Sequence, residues 1–146
     1  MLIRTLPQYS TDSHNASVAF IVEEDFIVKL HGKELFTVPK GTISDGASVP
    51  KILHGFISPV GIIGASICHD FCYRAGSSYT GNRKDADTFF RAYLKQHYRG
   101  KPGPLGRFCI YWALRCFGSA AWKCTDTAMW AQRIAYSESK KEEWNE

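Results

Sequence analysis

Hydrophobic and polar positions change rhythm midway along this chain. Before residue 45 the apolar residues come in short runs rich in β-branched and aromatic side chains, with turn residues between them. Val18–Val22 and Phe26–Leu30 read as strands separated by the acidic turn Glu23-Glu24-Asp25. His31-Gly32-Lys33 reads as a second turn and Leu35–Val38 as a third strand. Pro39-Lys40-Gly41 closes that unit. Residues 42–50 (TISDGASVP) form a loop in which Gly46 can take backbone shapes closed to other residues.

After residue 57 the period lengthens to that of a helix. Ser58-Pro59 is a helix start, a capping hydroxyl followed by a proline. That helix is predicted to run to about Ala75, with Gly76 as its stop. SSYTG (77–81) connects it to the next, which Asn82 caps and whose third position, Asp85, suits the helix dipole. Ala86, Phe89, Phe90, Tyr93 and Leu94 then recur at i, i+3, i+4, i+7 and i+8, a core stripe. KPGP (101–104) breaks the helix. A third is predicted from Pro104 to about Phe117 and a fourth within 119–139, before the polar tail SKKEEWNE.

The fold expected from this pattern is α+β: a small N-terminal antiparallel sheet followed by a three- to four-helix bundle. The short loop at 77–81 makes the first two helices an antiparallel pair. The chain reads as a single domain over 1–146, with strand and loop over 1–57, helices over 58–139 and a polar tail over 140–146.

Composition narrows the class. With 45% hydrophobic and 14% aromatic residues, 146 residues suffice for a folded core. No run of about 18 uncharged apolar residues occurs, so no transmembrane segment is expected. The apolar stretch 104–124 is interrupted by Arg107, Arg115 and Lys123. MLIRTLPQYS has no apolar signal-peptide core, so the expected location is the cytoplasm of the producing cell, or a particle packaged from it, and not secretion. Cysteines stand at 68, 72, 109, 116 and 124. An odd number without an export signal points to reduced, buried thiols. Cys68 and Cys72 bracket His69, but no second pair completes a zinc site, so zinc ranks low as a cofactor.

The net charge of +4 is uneven. Residues 1–60 carry 5 basic and 6 acidic side chains, giving −1, and residues 61–146 carry 13 and 8, giving +5. Between 83 and 123 only Asp85 and Asp87 stand against 9 basic residues, interleaved with aromatic ones. Such a segment suits an anionic lipid surface or, ranked lower, a nucleic acid backbone. The plainer reading is a solvated face over an aromatic core.

The candidate chemistry lies in the two central helices. His69 and Tyr73, at i and i+4, share one helix face. Asp70 is turned about 100° away on the neighbouring edge. On the next helix Asp87 shares a stripe with Phe90 and Leu94, so antiparallel packing can bring it opposite His69 and Tyr73. A buried carboxylate holds an imidazole in one tautomer, and the other ring nitrogen can take a proton from water. Asp70 can hold a divalent cation, calcium before zinc, with Asp45 and carbonyls of the 41–50 loop completing the shell. Arg74 and Arg83 flank the interhelical loop and can contact a phosphate or substrate, though such arginines commonly pair with nearby carboxylates. His14, His31, His54 and His97 are isolated by pattern.

Two resemblances attach to these residues. His69-Asp70-Phe71-Cys72-Tyr73 followed by Ala86-Asp87-Thr88-Phe89-Phe90 resembles the HDxxY…ADxxF helix pair of the phospholipase A2 superfamily, in its disulfide-free viral form. The likeness spans about 68–91, and no YxGxG-like calcium loop stands upstream. It implies His69 as base, Asp70 as calcium ligand, Asp87 as orienting acid and Tyr73 as its hydrogen-bond partner. A longer likeness, over about 38–118, is to a family of small uncharacterised proteins of tailed phages and prophages. Its pattern is VPxGxxxDGASVPxxL, HDxxYR, RxxADxxF and YxAxRxFG, here Val38–Leu53, His69–Arg74, Arg83–Phe90 and Tyr111–Gly118. It implies a phage origin and association with tail or lysis functions.

Two functional classes follow. One is a phage-encoded hydrolase-like protein with a His-Asp water-activating site, acting on phospholipid or another ester at the cell envelope. The other is a non-catalytic, tail-associated virion protein that contacts other phage proteins, in which the His/Asp/Tyr cluster only fixes helix register. The sequence leaves the substrate, the oligomeric state and the stage of infection open.

Overall fold

Turn chemistry decides which strands pair. The computed structural model describes residues 3–9, 17–44, 62–98, 100 and 102–123. Among them the order is β1 (Ile3–Tyr9), β2 (Ser17–Val22), β3 (Phe26–Leu30), β4 (Lys33–Val38), β5 (Ile43–Ser44), α1 (Ile63–Tyr73), α2 (Arg83–His97) and α3 (Pro104–Phe117). This is an α+β fold in which small antiparallel sheets precede the helices. Where one sheet was expected there are two, a three-stranded sheet ordered β1-β2-β5 and the separate hairpin β3-β4.

The hairpin turns at His31-Gly32, both at positive φ (50° and 78°), the pairing that matches the twist of the strands it joins. Its tip reaches the helices, where the His31 N–H donates to the Gln96 side chain at 3.0 Å. β1 was not foreseen as a strand. Its ladder with β2 slips between Leu6 and Tyr9, bracketing Pro7, a residue that cannot donate to a ladder and is tolerated on an edge strand such as this. β5 is only two residues long and exists because β2 offers it a partner, Phe20 opposite Ser44 and Ile21 opposite Ile43.

The foreseen helix starts and stops are partly reproduced. Asn82 caps α2 with a full capping box: its side chain accepts the Asp85 N–H at 2.9 Å, and the Asp85 carboxylate accepts the Asn82 N–H at 3.3 Å. α3 begins at Pro104 and ends at Phe117 as expected. α1 ends at Tyr73, short of Ala75, because Arg74 is already extended; Gly76, at φ 75°, follows one turn later. The start at Ser58-Pro59 lies outside the described residues. The fourth helix is not seen over 119–123, which form a turn, and its remainder lies outside the described residues.

The core forms where the hairpin and the helices meet. Val22, Val28, Val38, Ile67, Cys68, Cys72, Ala86 and Leu94 are fully buried. Removing each large aliphatic side chain from water contributes about 1.5–3 kcal/mol. Phe36 of β4 is the hub, in ring contact with Phe71 of α1, Phe89 of α2 and Tyr79 of the connecting loop. α1 and α2 run antiparallel. The Ala65 N–H meets the Tyr98 hydroxyl at one end, and Tyr73 meets Asp87 at the other. α3 returns along α2 so that its C-terminal turn lies beside Arg83 at the α2 N-terminus.

Candidate functional site

Three helices converge on one carboxylate. The capping box fixes where α2 begins and therefore its phase, which turns Asp87 inward one turn later with no exposed surface. The last turn of α1 brings Tyr73, and the turn before it His69. The last turn of α3 brings Arg115. Asp87 Oδ1 accepts from the Tyr73 hydroxyl at 2.6 Å and lies 3.0 Å from His69 Nε2. Asp87 Oδ2 accepts from Arg115 Nη1 at 2.9 Å. The imidazole packs against Tyr73 and Phe90, with ring centroids 4.3 and 4.7 Å away. His69 is 5% exposed.

The charge state follows from these contacts. Burial alone pushes the Asp87 carboxyl up, but hydrogen bonds from His69, Tyr73 and Arg115 outweigh it and hold the group below the usual carboxylate range. Asp87 is therefore ionised and can only accept. Burial lowers the His69 pKa despite the opposing pull of Asp87, so the imidazole is neutral at pH 7. A neutral imidazole facing a pure acceptor must carry its proton on Nε2, which leaves Nδ1 with a lone pair. Burial and the neighbouring carboxylate push the Tyr73 phenol well up, so it donates. The hydrogen bond to Asp87 raises Arg115, which balances the carboxylate charge.

Gly118 lets α3 end this close to the cluster. A Cβ there would stand 2.5 Å from the Leu114 carbonyl oxygen and 2.7 Å from the Tyr73 hydroxyl. Trp122 lies edge-on to Tyr73, with centroids 5.1 Å apart. Lys123 straps α1: its N–H donates to the Tyr73 carbonyl at 2.8 Å and its ammonium to the Arg74 carbonyl at 3.0 Å. The cation thus faces the negative end of the helix dipole.

Of the remaining foreseen residues, Asp70 and Arg74 hydrogen-bond to β5, while Arg83, one turn before Asp87 on α2, is hydrogen-bonded to Tyr73. Asp70, on the next edge of α1, accepts from the Ser44 hydroxyl of β5. Asp45 lies outside the described residues. Arg74 donates to the Ile43 carbonyl, fastening α1 to β5. Arg83 donates to the carbonyls of Leu114 and Arg115 at 3.0 and 3.3 Å, closing the C-terminus of α3. Both guanidiniums, expected at a phosphate or substrate, donate here to backbone carbonyls.

Calcium takes six to eight oxygen ligands. The Asp70 carboxylate is engaged by the Ser44 hydroxyl, and the carbonyl of neighbouring Ile43 is taken by the Arg74 guanidinium. No group of three or more His, Cys, Asp or Glu that could hold a metal occurs among the described residues. These donors do not make a calcium shell, and no step below is routed through one. Burial pushes the Cys68 thiol up to about 12 and the Cys72 thiol up as well, so both stay protonated, and His69 is turned to Asp87 rather than to either sulfur.

Sequence reasoning missed Arg115 and Ser44. The signal for Arg115 was a cation four residues after Tyr111 in a helix whose other charged residue is Arg107, a position that asks for a counter-charge. Ser44 carried no signal, since its role depends on β5 pairing with β2.

The fold and the site define an α+β protein with a buried His-Asp-Tyr-Arg cluster. A model of a family described as "protein of unknown function (DUF1353)" matches residues 20–114, more than half of the chain, and the chain belongs to that family. The matched span contains His69, Asp70, Tyr73, Arg74, Arg83 and Asp87 and ends one residue before Arg115. No curated protein and no solved structure matches the chain. Among the described residues no helix is long and apolar enough to cross a membrane.

Proposed function

We propose that this is a phage-encoded hydrolase-like protein in which His69, oriented by Asp87 and Tyr73, activates water against a phospholipid or another ester at the cell envelope. One observation carries the reading: a single oxygen of an ionised Asp87 receives both the Tyr73 hydroxyl and the His69 Nε2 proton. That arrangement fixes the tautomer in which Nδ1 is the basic nitrogen. His69 removes a proton from water at Nδ1 as the water attacks the ester carbonyl. Asp87 steadies the imidazolium that forms, and Tyr73 holds the carboxylate in place. The proton then passes from Nδ1 to the departing alkoxide.

The test is His69→Gln, whose amide N–H can still reach Asp87 while the base is gone. Hydrolysis of glycerophospholipid in mixed vesicles is expected to fall by about 10²-fold or more, with the melting temperature kept within a few degrees. Wild-type protein without ester hydrolysis, with or without added calcium, or a variant as active as wild type, sinks the enzyme.

A second reading is favoured by burial. Asp87 is fully buried and His69 is 5% exposed, as befits a polar network that fastens three helices of a tail-associated virion protein. Its signature is a His69→Gln chain that melts far lower, together with the protein's presence in purified particles.

A further inference from the structure

α3 is apolar on both of its sides. Gly106 and Ile110 are buried against α2, while Leu105, Phe108 and Trp112 point away from the core and are 65%, 48% and 51% exposed. At about 100° per residue these three fall within about 60° of one another, opposite Ile110. Cys116 continues the same line and is also exposed. The face is preformed: Phe108 and Trp112 pack edge to face at 6.3 Å, and Trp112 meets Tyr111 at 5.7 Å. Four of the six exposed large hydrophobics among the described residues lie in this one helix, counting Phe117 at its end. A solvated helix carries polar residues on its outer face, so a face like this marks a contact surface.

Charge selects the occupant. From residue 88 to 123 the sequence has seven lysines and arginines and no aspartate or glutamate. Arg91 of α2 lies over the Tyr111 ring, at 5.5 Å, on the flank of this face. Lys84, Arg91 and Lys95 of α2 are exposed. Two such faces would repel one another, which argues against a second copy of this chain. An aliphatic and aromatic ridge with the Arg91 guanidinium on its flank fits the boundary between anionic headgroups and acyl chains, where apolar groups insert and Lys and Arg meet phosphate.

We infer that the outer face of α3 is a docking surface for an anionic phospholipid membrane, with Leu105, Phe108 and Trp112 entering the headgroup region and Arg91 on its flank meeting lipid phosphate. The surface is separate from the Asp87 cluster and does not depend on its chemistry.

The full chain is mixed with vesicles of phosphatidylglycerol and phosphatidylcholine in equal parts, or of phosphatidylcholine alone, and sedimented. Binding to the anionic vesicles is expected, weakening with added salt, with little binding to the neutral ones. The triple variant Leu105→Ser/Phe108→Ser/Trp112→Ser is expected to keep the wild-type melting temperature and to lose about tenfold or more in partitioning. His69→Gln is expected to bind as wild type does, so a failed hydrolase assay leaves this result standing. Four outcomes overturn the inference: no binding to anionic vesicles; unchanged binding by the triple variant; wild-type dimers that the triple variant turns into monomers; or a large fall in melting temperature, which would mean that the chain itself covers the face. A fifth outcome, preference for duplex DNA over the vesicles that is lost in the same variant, overturns it in favour of nucleic acid.

Discussion

At Asp87 two donors share one oxygen and a guanidinium takes the other, and this division sets how the protein answers to pH. The folded-state pKa of His69 lies below the ordinary value of 6.5. The unfolded chain therefore takes up a proton at a higher pH than the folded one. The stabilisation is complete above about 6.5 and is lost as pH falls toward the lowered folded value. Asp87 adds a second loss in the same direction, beginning below its ordinary value of 3.8. Denaturant titrations across pH 3–8 are expected to show stability level near neutrality and falling in two steps on acidification, with the first step absent in His69→Gln. Stability that rises between pH 7 and 5 would contradict this charge state. If the imidazole is the base, the acid limb of the hydrolysis profile is expected to have its midpoint below 6.5.

Helices lie close around the cluster only because a side chain is missing at Gly118. Gly118→Ala is expected to cost about 1–3 kcal/mol, since the added methyl meets a carbonyl oxygen and the Tyr73 hydroxyl. Gly76→Ala is the control: nothing lies within 4 Å of its added Cβ, and only its positive φ is strained, for about 1 kcal/mol. Thermal melts should show both losses, and hydrolysis only the first. Elements whose signals are local were legible in the sequence: the Asn82 cap, the His31-Gly32 turn, the α2 core stripe, and Pro104 at the start of α3. β1 and β5 were not, because a strand interrupted by Pro7 and one two residues long exist through pairing rather than propensity. The meeting of His69, Tyr73 and Asp87 was foreseen from helical periodicity and a short loop. Arg115 was not, because spacing within α1 and α2 says nothing about what a third helix brings.

In the whole molecule, Asp87 is where α1, α2 and α3 are joined by charge as well as by packing. Asp87→Asn is nearly isosteric, yet it leaves the Arg115 guanidinium without its counter-charge and turns one acceptor oxygen into an NH2 donor, which must face either Arg115 or the His69 and Tyr73 donors. A loss of about 1–3 kcal/mol is expected, from mismatched donors around a buried amide. Far-ultraviolet circular dichroism and near-ultraviolet circular dichroism should then lose their single shared melting transition. A loss below about 1 kcal/mol would mean that the carboxylate does not hold the three helices. Among the described residues α2 carries Arg83, Lys84, Arg91 and Lys95 and α3 carries Arg107 and Arg115, while the turn between β2 and β3 is the acidic Glu23-Glu24-Asp25. The molecule is therefore polar in charge as well as in architecture.

The carboxylate at 87 and the guanidinium at 115 are separated by most of two helices, and this has a consequence for the chain while it is being made. A ribosome delivers the anion well before the cation that answers it. Any product cut short before residue 115 lacks the cation that pairs with Asp87 Oδ2 and the helix turn that carries it. Such fragments are expected to be cut by proteases faster than the full chain.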